Sequence, residues 1–164
     1  MLNPFKITPC LWFDQQAEEA AAFYTGIFPN SRIISVSRFP DAGQEIHGQP
    51  AGSVMTVGFE LDGQPFVALN GGPVFRFNEA VSLQIHCHDQ ADVDYYWNQL
   101  GAGGDETAQQ CGWLKDRYGL SWQVVPKVLL ELMQHPEPAK TRCVMQALLQ
   151  MKKLDIEGLK RAAA

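Results

Sequence analysis

The spacing of hydrophobic and polar positions predicts a strand followed by an amphipathic helix at the start of the chain. Residues 7–13 form a short apolar run that predicts a strand, with Pro9 near its beginning, where a missing N–H is tolerated. In residues 17–28 the apolar side chains recur three and four positions apart, which predicts a helix. We expect Asp14 to cap this helix and Pro29 to end it.

Three further strands are predicted in the first half of the chain, at residues 32–39, 53–61 and 64–70. The last two are separated by Asp62-Gly63, a dipeptide typical of a two-residue hairpin turn. Residues 40–52 have no periodicity and are rich in glycine and proline, so they are predicted to form a loop. The order of elements in this half is therefore β-α-β-β-β.

The second half repeats that order. Residues 81–88 alternate as a strand, and Asp89 is placed to start a helix that ends at the glycine-rich residues 101–104. Strands are predicted at 106–110, 111–115 and 120–125, the last two joined by a tight turn before Gly119. The result is a second β-α-β-β-β segment, which indicates an internal repeat of fold.

A polar stripe inside this predicted sheet is the main chemical signal. Gln123 lies on an otherwise apolar strand, on the face opposite Trp122 and Val124. On the strand at 81–88 one face carries the polar set Ser82, Gln84, His86 and His88. A sheet with a polar inner stripe predicts a binding surface, whereas two imidazoles without a carboxylate at reachable spacing disfavour a metal site.

Helices are predicted after residue 126, at 128–134 and 138–153, with a final turn at 156–159. The long helix carries an apolar stripe made of Val144, Met145, Leu148, Leu149 and Met151. We expect this stripe to dock on the sheet or on a partner chain.

Composition limits the classes of partner and compartment. The 164 residues, 46% of them hydrophobic and 19% charged, suit one globular domain. A net charge of −5 without a basic face argues against nucleic acid, and no apolar run reaches the roughly 18 residues that span a membrane. The four cysteines form no Cys-x-x-Cys pair and the N-terminus has no apolar signal core, so a cytoplasmic protein is expected.

Several motifs together resemble one superfamily. They are Glu-Glu-Ala at 18–20 with Phe-Tyr at 23–24, Asn-Gly-Gly-Pro at 70–73, Phe-Arg-Phe-Asn-Glu-Ala at 75–80, Asp94 with Trp97 and Leu100, Cys-Gly-Trp-Leu-Lys-Asp at 111–116, residues 119–126, and Met-Lys-Lys-Leu-Asp-Ile at 151–156. The chain resembles the vicinal oxygen chelate superfamily of glyoxalases, bleomycin resistance proteins and dioxygenases. The more specific resemblance is to its PhnB-like branch, also labelled demethylubiquinone-methyltransferase-like.

This resemblance implies an α+β fold of two βαβββ modules that form a curved mixed β-sheet around a concave pocket, plus C-terminal helices. Residues 1–164 would be a single domain, with module one at about 1–78, module two at about 79–126 and a helical tail at 127–164. Relatives commonly pair modules across subunits, so a homodimer is expected.

The resemblance also implies where a metal would be held, and the residues there are unsuited to it. Metal-dependent relatives use His in the first strand, Glu or His in the fourth, His in the fifth and Glu in the eighth. This chain offers Ile7, Thr8 or Pro9 in the first, Phe66, Ala68 or Asn70 in the fourth, Ser82 in the fifth and Gln123 in the eighth. Neutral hydroxyl and amide groups hold divalent ions poorly, so we expect neither a metal nor another cofactor.

The candidate ligand-binding residues are Gln123, Ser82, Asn70, Trp12, Thr8, Gln84, His86 and Phe66. Each has a structural alternative: Gln123 could satisfy a buried backbone group, and Asn70 could simply make the turn before Gly71. Cys111 has no basic partner that the sequence assigns, which favours a structural cysteine over a nucleophile. No catalytic residue is assigned.

Three functions compete. The leading one is binding of a small, partly apolar molecule in the sheet without a divalent metal. The second is an enzyme of the superfamily, a lyase, isomerase or dioxygenase with a non-standard site, and the third is a structural or regulatory dimer with a vestigial pocket. Methyl transfer is not supported, because the glycines at 101–104 follow a helix and so do not join a strand to a cofactor-binding helix.

Overall fold

The computed structural model describes residues 6–164. The chain divides into two compact units, the first ending at Arg76 and the second comprising Phe77–Ala164. Both units combine strands and helices, and their sheets contain parallel and antiparallel pairs. The α+β class and the mixed sheets predicted from the sequence are therefore confirmed.

Unit 1 is a four-stranded sheet covered by one long helix. Its elements are β1 Cys10–Phe13, α1 Ala17–Ile27, β2 Arg32–Arg38, α2 Gln44–His47, β3 Val54–Leu61 and β4 Gln64–Asn70. The strand order is β1-β4-β3-β2, with β1 parallel to β4 and the other pairs antiparallel. Helix α1 packs on β3 and β4, where Tyr24 stacks on Phe59 with ring centroids 6.3 Å apart.

The start of α1 differs from the sequence prediction. Asp14 does not cap the helix: the N-cap position is Gln16, and its side chain makes no capping hydrogen bond. The cap comes from β4, where Asn70 Oδ1 accepts a hydrogen bond from the Ala17 N–H at 2.8 Å. Asn70 Nδ2 also donates to the Val54 carbonyl at 3.0 Å, so this side chain ties the helix to the sheet.

Other predictions for unit 1 hold with smaller adjustments. The Asp62-Gly63 hairpin is confirmed, since both residues have positive φ, 47° and 79°, as a two-residue turn of this type requires. The first strand begins at Cys10, three residues after the predicted start. The predicted loop at 40–52 contains the short helix α2.

Unit 2 contains a three-stranded sheet and four helices of more than three residues. Its elements are β5 Ser82–Cys87, α3 Gln90–Gly101, a 3-10 helix Glu106–Ala108, β6 Trp113–Lys115, β7 Ser121–Pro126, α4 Lys127–Met133, α5 Pro138–Leu148 and α6 Ile156–Ala162. The strand order is β5-β7-β6, with β5 parallel and β6 antiparallel to β7. Helix α3 packs on all three strands, and its predicted cap is confirmed, since Asp89 accepts from the Asp92 N–H at 2.9 Å.

The strand predicted at 106–110 is wrong, because this segment forms the 3-10 helix. Asp105 Oδ1 accepts hydrogen bonds from the backbone N–H and the hydroxyl of Thr107, at 2.9 and 2.6 Å. A local turn of this kind competes with the ladder hydrogen bonds of a strand. Gln110 keeps one isolated bridge to Trp113, which is all that remains of the predicted pairing in the described chain.

The hairpin of β6 and β7 is organised by a buried carboxylate. Asp116 is 2% exposed, and its Oδ1 accepts hydrogen bonds from the N–H groups of Tyr118 and Leu120 at 2.8 and 3.1 Å. Its Oδ2 accepts from the Trp122 indole at 2.8 Å. These bonds fix the register in which Trp113 pairs with Gln123 and Lys115 with Ser121.

The C-terminal tail packs within unit 2. The long helix α5 ends at Leu148 rather than at residue 153. Its Val144, with Leu148 and Met151, joins an apolar cluster that also contains Val125, Leu129, Leu154, Leu159 and Ala163. Met145 and Leu149, from the same predicted stripe, are 39% and 52% exposed. No helix among residues 6–164 has the length and apolar character required to cross a bilayer.

Candidate functional site

The sheet of unit 2 has one face turned to α3 and one that α3 does not cover. The residues that face α3 are apolar and buried, and they include Ile85, Cys87, Leu114, Trp122 and Val124. Because successive residues of a strand point to opposite sides, the alternate positions lie together on the other face. We call seven of them the polar face: Ser82, Gln84, His86, Trp113, Lys115, Ser121 and Gln123.

The pairing of the strands arranges the polar face in rows. Lys115, Ser121 and Ser82 are in register across β6, β7 and β5. Trp113, Gln123 and Gln84 form the next row in the same order.

The third row pairs Val125 with His86. Val125 belongs to the apolar cluster of the tail, so the tail bounds this end of the polar face. His86 itself is exposed.

A chain of hydrogen bonds joins three of the predicted site residues. Gln84 Nε2 donates to Gln123 Oε1 at 3.0 Å, and Gln123 Nε2 donates to Ser82 Oγ at 2.7 Å. The Ser82 hydroxyl keeps its own proton as a donor, and the amides supply further donors and acceptors. The structure thus brings Ser82, Gln84 and Gln123 together in a neutral, partly exposed network.

Lys115, Ser121 and Trp113 were missed by the sequence analysis. Lys115 Nζ forms an ion pair with Glu79, and this hydrogen bond holds the pKa of the Glu79 carboxyl below its ordinary value. Ser121 is 1% exposed, and its hydroxyl has no hydrogen-bond partner in the described chain. The two-residue period of the hairpin, counted back from Gln123, is the signal that places all three on this face.

The residues on and beside the polar face are not suited to a divalent ion. Ser82 and Gln123 stand where the resemblance implies ligands, and both are neutral and hydrogen bonded to each other. His88 Nε2 lies 3.1 Å from the Lys127 ammonium nitrogen. The positive charge of this lysine would repel a metal ion bound to His88. Within residues 6–164 no group of three or more His, Cys, Asp or Glu side chains is arranged to hold a metal.

Trp12 of unit 1 is held by the turn that follows β4. Its indole N–H donates to the Gly72 carbonyl at 2.9 Å, and its ring meets Phe75 edge to face with centroids 4.9 Å apart. A Cβ on Gly71 would overlap the Trp12 ring, so this position requires glycine. The Asn-Gly-Gly-Pro motif therefore forms the turn on which the indole packs.

Phe66 and Asn70 do not share a face with Trp12. Trp12 pairs with Leu69 and so lies on the side of the sheet that α1 does not cover. Phe66 is 7% exposed and stacks on Phe59 at 5.4 Å, on the side that faces α1. Thr8 precedes β1 and is partly buried. A part for Trp12 and Thr8 in binding stays a prediction.

Unit 1 also has a cleft of about 260 Å³ near the start of α1. It is lined by Gln15, Glu18, Gln49, Pro50, Ser53, Val54 and Asn70. Asn70 is the predicted site residue that borders it, and its side chain already makes two hydrogen bonds within the unit.

The cysteines near the sheet of unit 2 have structural surroundings. Cys87 is fully buried, and burial, with smaller contributions from Asp92 and Asp89, raises the pKa of its thiol to about 12. Cys111 has a φ of 53°, and its N–H donates to the Met151 carbonyl at 2.8 Å. Cys111 thus anchors the tail to the start of β6, as expected of a structural residue.

Comparisons with known proteins identify the family of the chain and related structures. A family model described as 3-demethylubiquinone-9 3-methyltransferase matches residues 5–125. A putative 3-demethylubiquinone-9 3-methyltransferase, PhnB protein, from Bacillus cereus is 33% identical. The alignment covers 74% of this chain and 99% of that protein, with a TM-score of 0.64. No curated protein matches the chain.

Two more distant structures show the fold alone. A protein from Pseudomonas aeruginosa is 20% identical, with a TM-score of 0.57 over 74% of this chain and 97% of its own. The fosfomycin resistance protein FosX from Listeria monocytogenes is 17% identical, with a TM-score of 0.51 over 82% of this chain and 100% of its own. From the family match and the Bacillus cereus relative together, we conclude that the chain belongs to the PhnB-like family described as 3-demethylubiquinone-9 3-methyltransferase, within the vicinal oxygen chelate superfamily.

Proposed function

We propose that this protein binds a small, partly apolar organic molecule on the polar face of unit 2, without a divalent metal ion. The observation that supports this most is the hydrogen-bonded chain of Gln84, Gln123 and Ser82. It occupies two of the positions where the superfamily resemblance implies metal ligands. The same strands therefore present neutral hydrogen-bonding groups where metal-dependent relatives present charged or imidazole ligands.

The composition of the polar face supports an organic ligand. Binding sites for small molecules combine apolar and aromatic walls with a few polar groups that set orientation. Trp113 supplies a partly exposed indole in the same row as Gln123 and Gln84. A ligand lying along this row would stack on the indole and exchange hydrogen bonds with the two amides.

Methyl transfer is not part of this proposal, despite the name of the family. A cofactor-binding unit of the strand, glycine loop and helix type places its glycines before a helix N-terminus. Here Gly103 and Gly104 follow the C-terminal end of α3. Neither glycine therefore joins a strand to an α-helix, as that unit requires, and the element that follows them is the three-residue 3-10 helix.

We further propose that the protein is a cytoplasmic homodimer. The edge strand β2 exposes Ile33, Ile34 and Val36 at 41%, 51% and 42%, a surface that a second copy would cover. The four cysteines are free thiols, which a reducing compartment preserves. Light scattering coupled to gel filtration tests the dimer: a mass of one chain at micromolar concentration would contradict it.

The test of the binding proposal compares metal content with ligand response. Protein purified without added metal is analysed by mass spectrometry for bound ions, then screened by thermal shift against small organic molecules with and without chelator. A ligand at a hundred times its dissociation constant adds about 2.7 kcal/mol of stability. We expect such ligands to raise the melting temperature equally with and without chelator. In Gln123→Ala the same ligands should raise it less.

Gln64→Ala is the matched control, since Gln64 is an exposed strand glutamine of unit 1. It should leave ligand responses unchanged. A stoichiometric divalent ion that disappears in His86→Ala would contradict the metal-free proposal, and a screen in which Gln123→Ala changes nothing would contradict the location of the site.

A further inference from the structure

One row of the polar face combines a cation with two hydroxyl groups. Lys115, Ser121 and Ser82 lie side by side on three adjacent strands and point to the same side of the sheet. Lys115 is on β6 and Ser82 on β5, the two edges of this sheet, with Ser121 on the central strand between them. This row is the only one of the polar face that carries an ammonium group.

The Lys115 ammonium is paired with a carboxylate from outside the sheet. Glu79 lies three residues before β5, in a turn where the Ala80 N–H donates to Asn78 Oδ1 at 2.9 Å. The ion pair therefore joins the edge strand β6 to the turn that precedes the other edge strand, β5. The Lys115 side chain is 22% exposed and the Glu79 side chain is 61% exposed, so the cation belongs to the site and the carboxylate reaches it from solvent.

The Ser121 hydroxyl is the second independent sign of a ligand at this row. Ser121 is 1% exposed, and its Oγ has no hydrogen-bond partner within residues 6–164. A buried hydroxyl without a partner destabilises a folded protein, so such groups are uncommon where a ligand does not complete them. A ligand oxygen next to Lys115 would be in reach of this hydroxyl, because the two residues are paired across β6 and β7.

We propose that Lys115, Ser121 and Ser82 form a binding site for the carboxylate of a small organic acid, and that Glu79 occupies it as an internal competitor when the ligand is absent. This rests on the proposed function, since it assumes that ligands bind the polar face. The carboxylate replaces Glu79 on Lys115 and accepts a hydrogen bond from Ser121. The apolar part of the acid then lies in the next row, against Trp113, with Gln123 beside it.

Charge and exposure explain why the exchange is feasible. An ammonium group only donates hydrogen bonds, so its partner must be an acceptor, and an anion is the strongest one. An ion pair with an exposed carboxylate is weak, because water screens it and the long side chain must be held in place. A ligand carboxylate that also receives the Ser121 hydrogen bond and stacks its apolar part on Trp113 has more contacts than Glu79 has.

The experiment uses phenylacetate and its neutral analogue phenylacetamide as probes, with affinities measured by isothermal titration calorimetry at pH 7. Glu79→Gln removes the competitor and should raise the affinity for phenylacetate about three- to fivefold, the range expected for loss of an exposed ion pair. Lys115→Met should lower it at least tenfold, and Ser121→Ala should lower it severalfold. Phenylacetamide should respond to neither Glu79→Gln nor Lys115→Met.

Glu157→Gln and Lys160→Met are matched controls, because they break a similarly exposed ion pair in α6. Neither should change the affinity for phenylacetate. Lys115→Arg keeps the charge and should retain most of the binding, which makes the proposal testable even if Lys115→Met fails to fold.

Two results would overturn the carboxylate site. One is the absence of saturable phenylacetate binding in Glu79→Gln, where Lys115 has lost its competitor. The other is an equal response of phenylacetate and phenylacetamide to both charge changes. If phenylacetate and phenylacetamide both bind and Gln123→Ala weakens both, while the affinity for phenylacetate does not change in Lys115→Met or Glu79→Gln, the proposed function stands and the carboxylate site is wrong.

Discussion

The two sheets of this protein differ on the face that is not covered by α1 in unit 1 or by α3 in unit 2. In unit 1 that face is apolar along β1 and β4, where it carries Cys10, Trp12, Val67 and Leu69. Its polar pairs lie on β2 and β3: Ser37 shares a hydrogen bond with Thr56, and Arg32 forms an ion pair with Glu60. In unit 2 the equivalent face is the polar face, where amides and hydroxyls are hydrogen bonded to one another. On the covered side both sheets are alike, with buried residues packed on α1 or α3.

The difference shows which positions are constrained by folding. A helix packed on a sheet requires apolar residues at every second position, because only these give the burial that stabilises the unit. The other face is free of that requirement, so its composition can vary with function. Our binding proposal assigns the polar network on this partly exposed sheet to recognition of a polar ligand group.

The largest expected effect comes from removing the carboxylate that orders the β6–β7 hairpin. Asp116→Ala removes acceptors for three hydrogen bonds to a buried charge, and should cost about 3 to 5 kcal/mol of unfolding free energy. The unit 1 hairpin has no such carboxylate, so Asp62→Asn should cost less than about 0.5 kcal/mol, because asparagine tolerates positive φ. Urea unfolding measures both, and equal losses would contradict the different roles given to the two turns.

The next effect tests the packing of Trp12 in the apolar part of the uncovered face of unit 1. Gly71→Ala places a Cβ inside the space of the Trp12 ring, and should cost about 1 to 3 kcal/mol and shift the tryptophan fluorescence. Gly26→Ala in α1 meets no atom within 4 Å and should instead stabilise by about 0.5 to 1 kcal/mol. If thermal unfolding shows the same change in stability for both variants, the close packing of Trp12 on Gly71 is ruled out.

A smaller effect tests how α1 and α3, the helices that cover the two sheets, are capped. Asn70→Ala leaves the Ala17 N–H without its acceptor and should cost about 1 to 2 kcal/mol, as loss of an N-cap does. Asp89→Ala should cost a similar amount in unit 2, where the cap is local in sequence. Asp14→Ala is the control and should be nearly neutral; a loss as large as that of Asn70→Ala would restore the cap predicted from sequence.

The smallest effect is a pH dependence on the polar face. Because the pKa of Glu79 is lowered in the folded protein by Lys115, its contribution to stability is present above the ordinary pKa of a glutamate. It is lost as the pH falls through the lowered value. Acid unfolding curves of Glu79→Gln should therefore lack a small component that the wild type shows. Identical curves would indicate that the ion pair does not form in solution.

Local signals in the sequence account for the elements that were predicted correctly. Asp62-Gly63 and Asp89 define a turn and a helix start within a few residues, so tertiary structure is not needed to read them. The alternation around Gln123 likewise fixes which side chains share a face. These features gave the order of the elements and the core of the polar face, whereas the fold of two modules followed from the resemblance to the superfamily.

The remaining features depend on contacts between distant residues. Asn70 caps a helix that starts 53 residues earlier, and a motif search cannot detect this. The strand β4 has apolar residues on both faces, so its period does not tell which face packs on α1; Phe66 was expected in the site for this reason. Lys115 and Glu79 meet only because β5 and β6 flank the same strand.

The most direct test of the central claim follows the side-chain amide signals of Gln84 and Gln123 by nitrogen-15 NMR in chelator-treated protein. Assignment by Gln84→Ala and Gln123→Ala makes both signals specific for the polar face. The account predicts that a small organic ligand such as phenylacetate shifts these two signals in a saturable way, unchanged by excess chelator. Shifts that require added zinc or manganese, or that leave both amides unaffected while other residues respond, would contradict it.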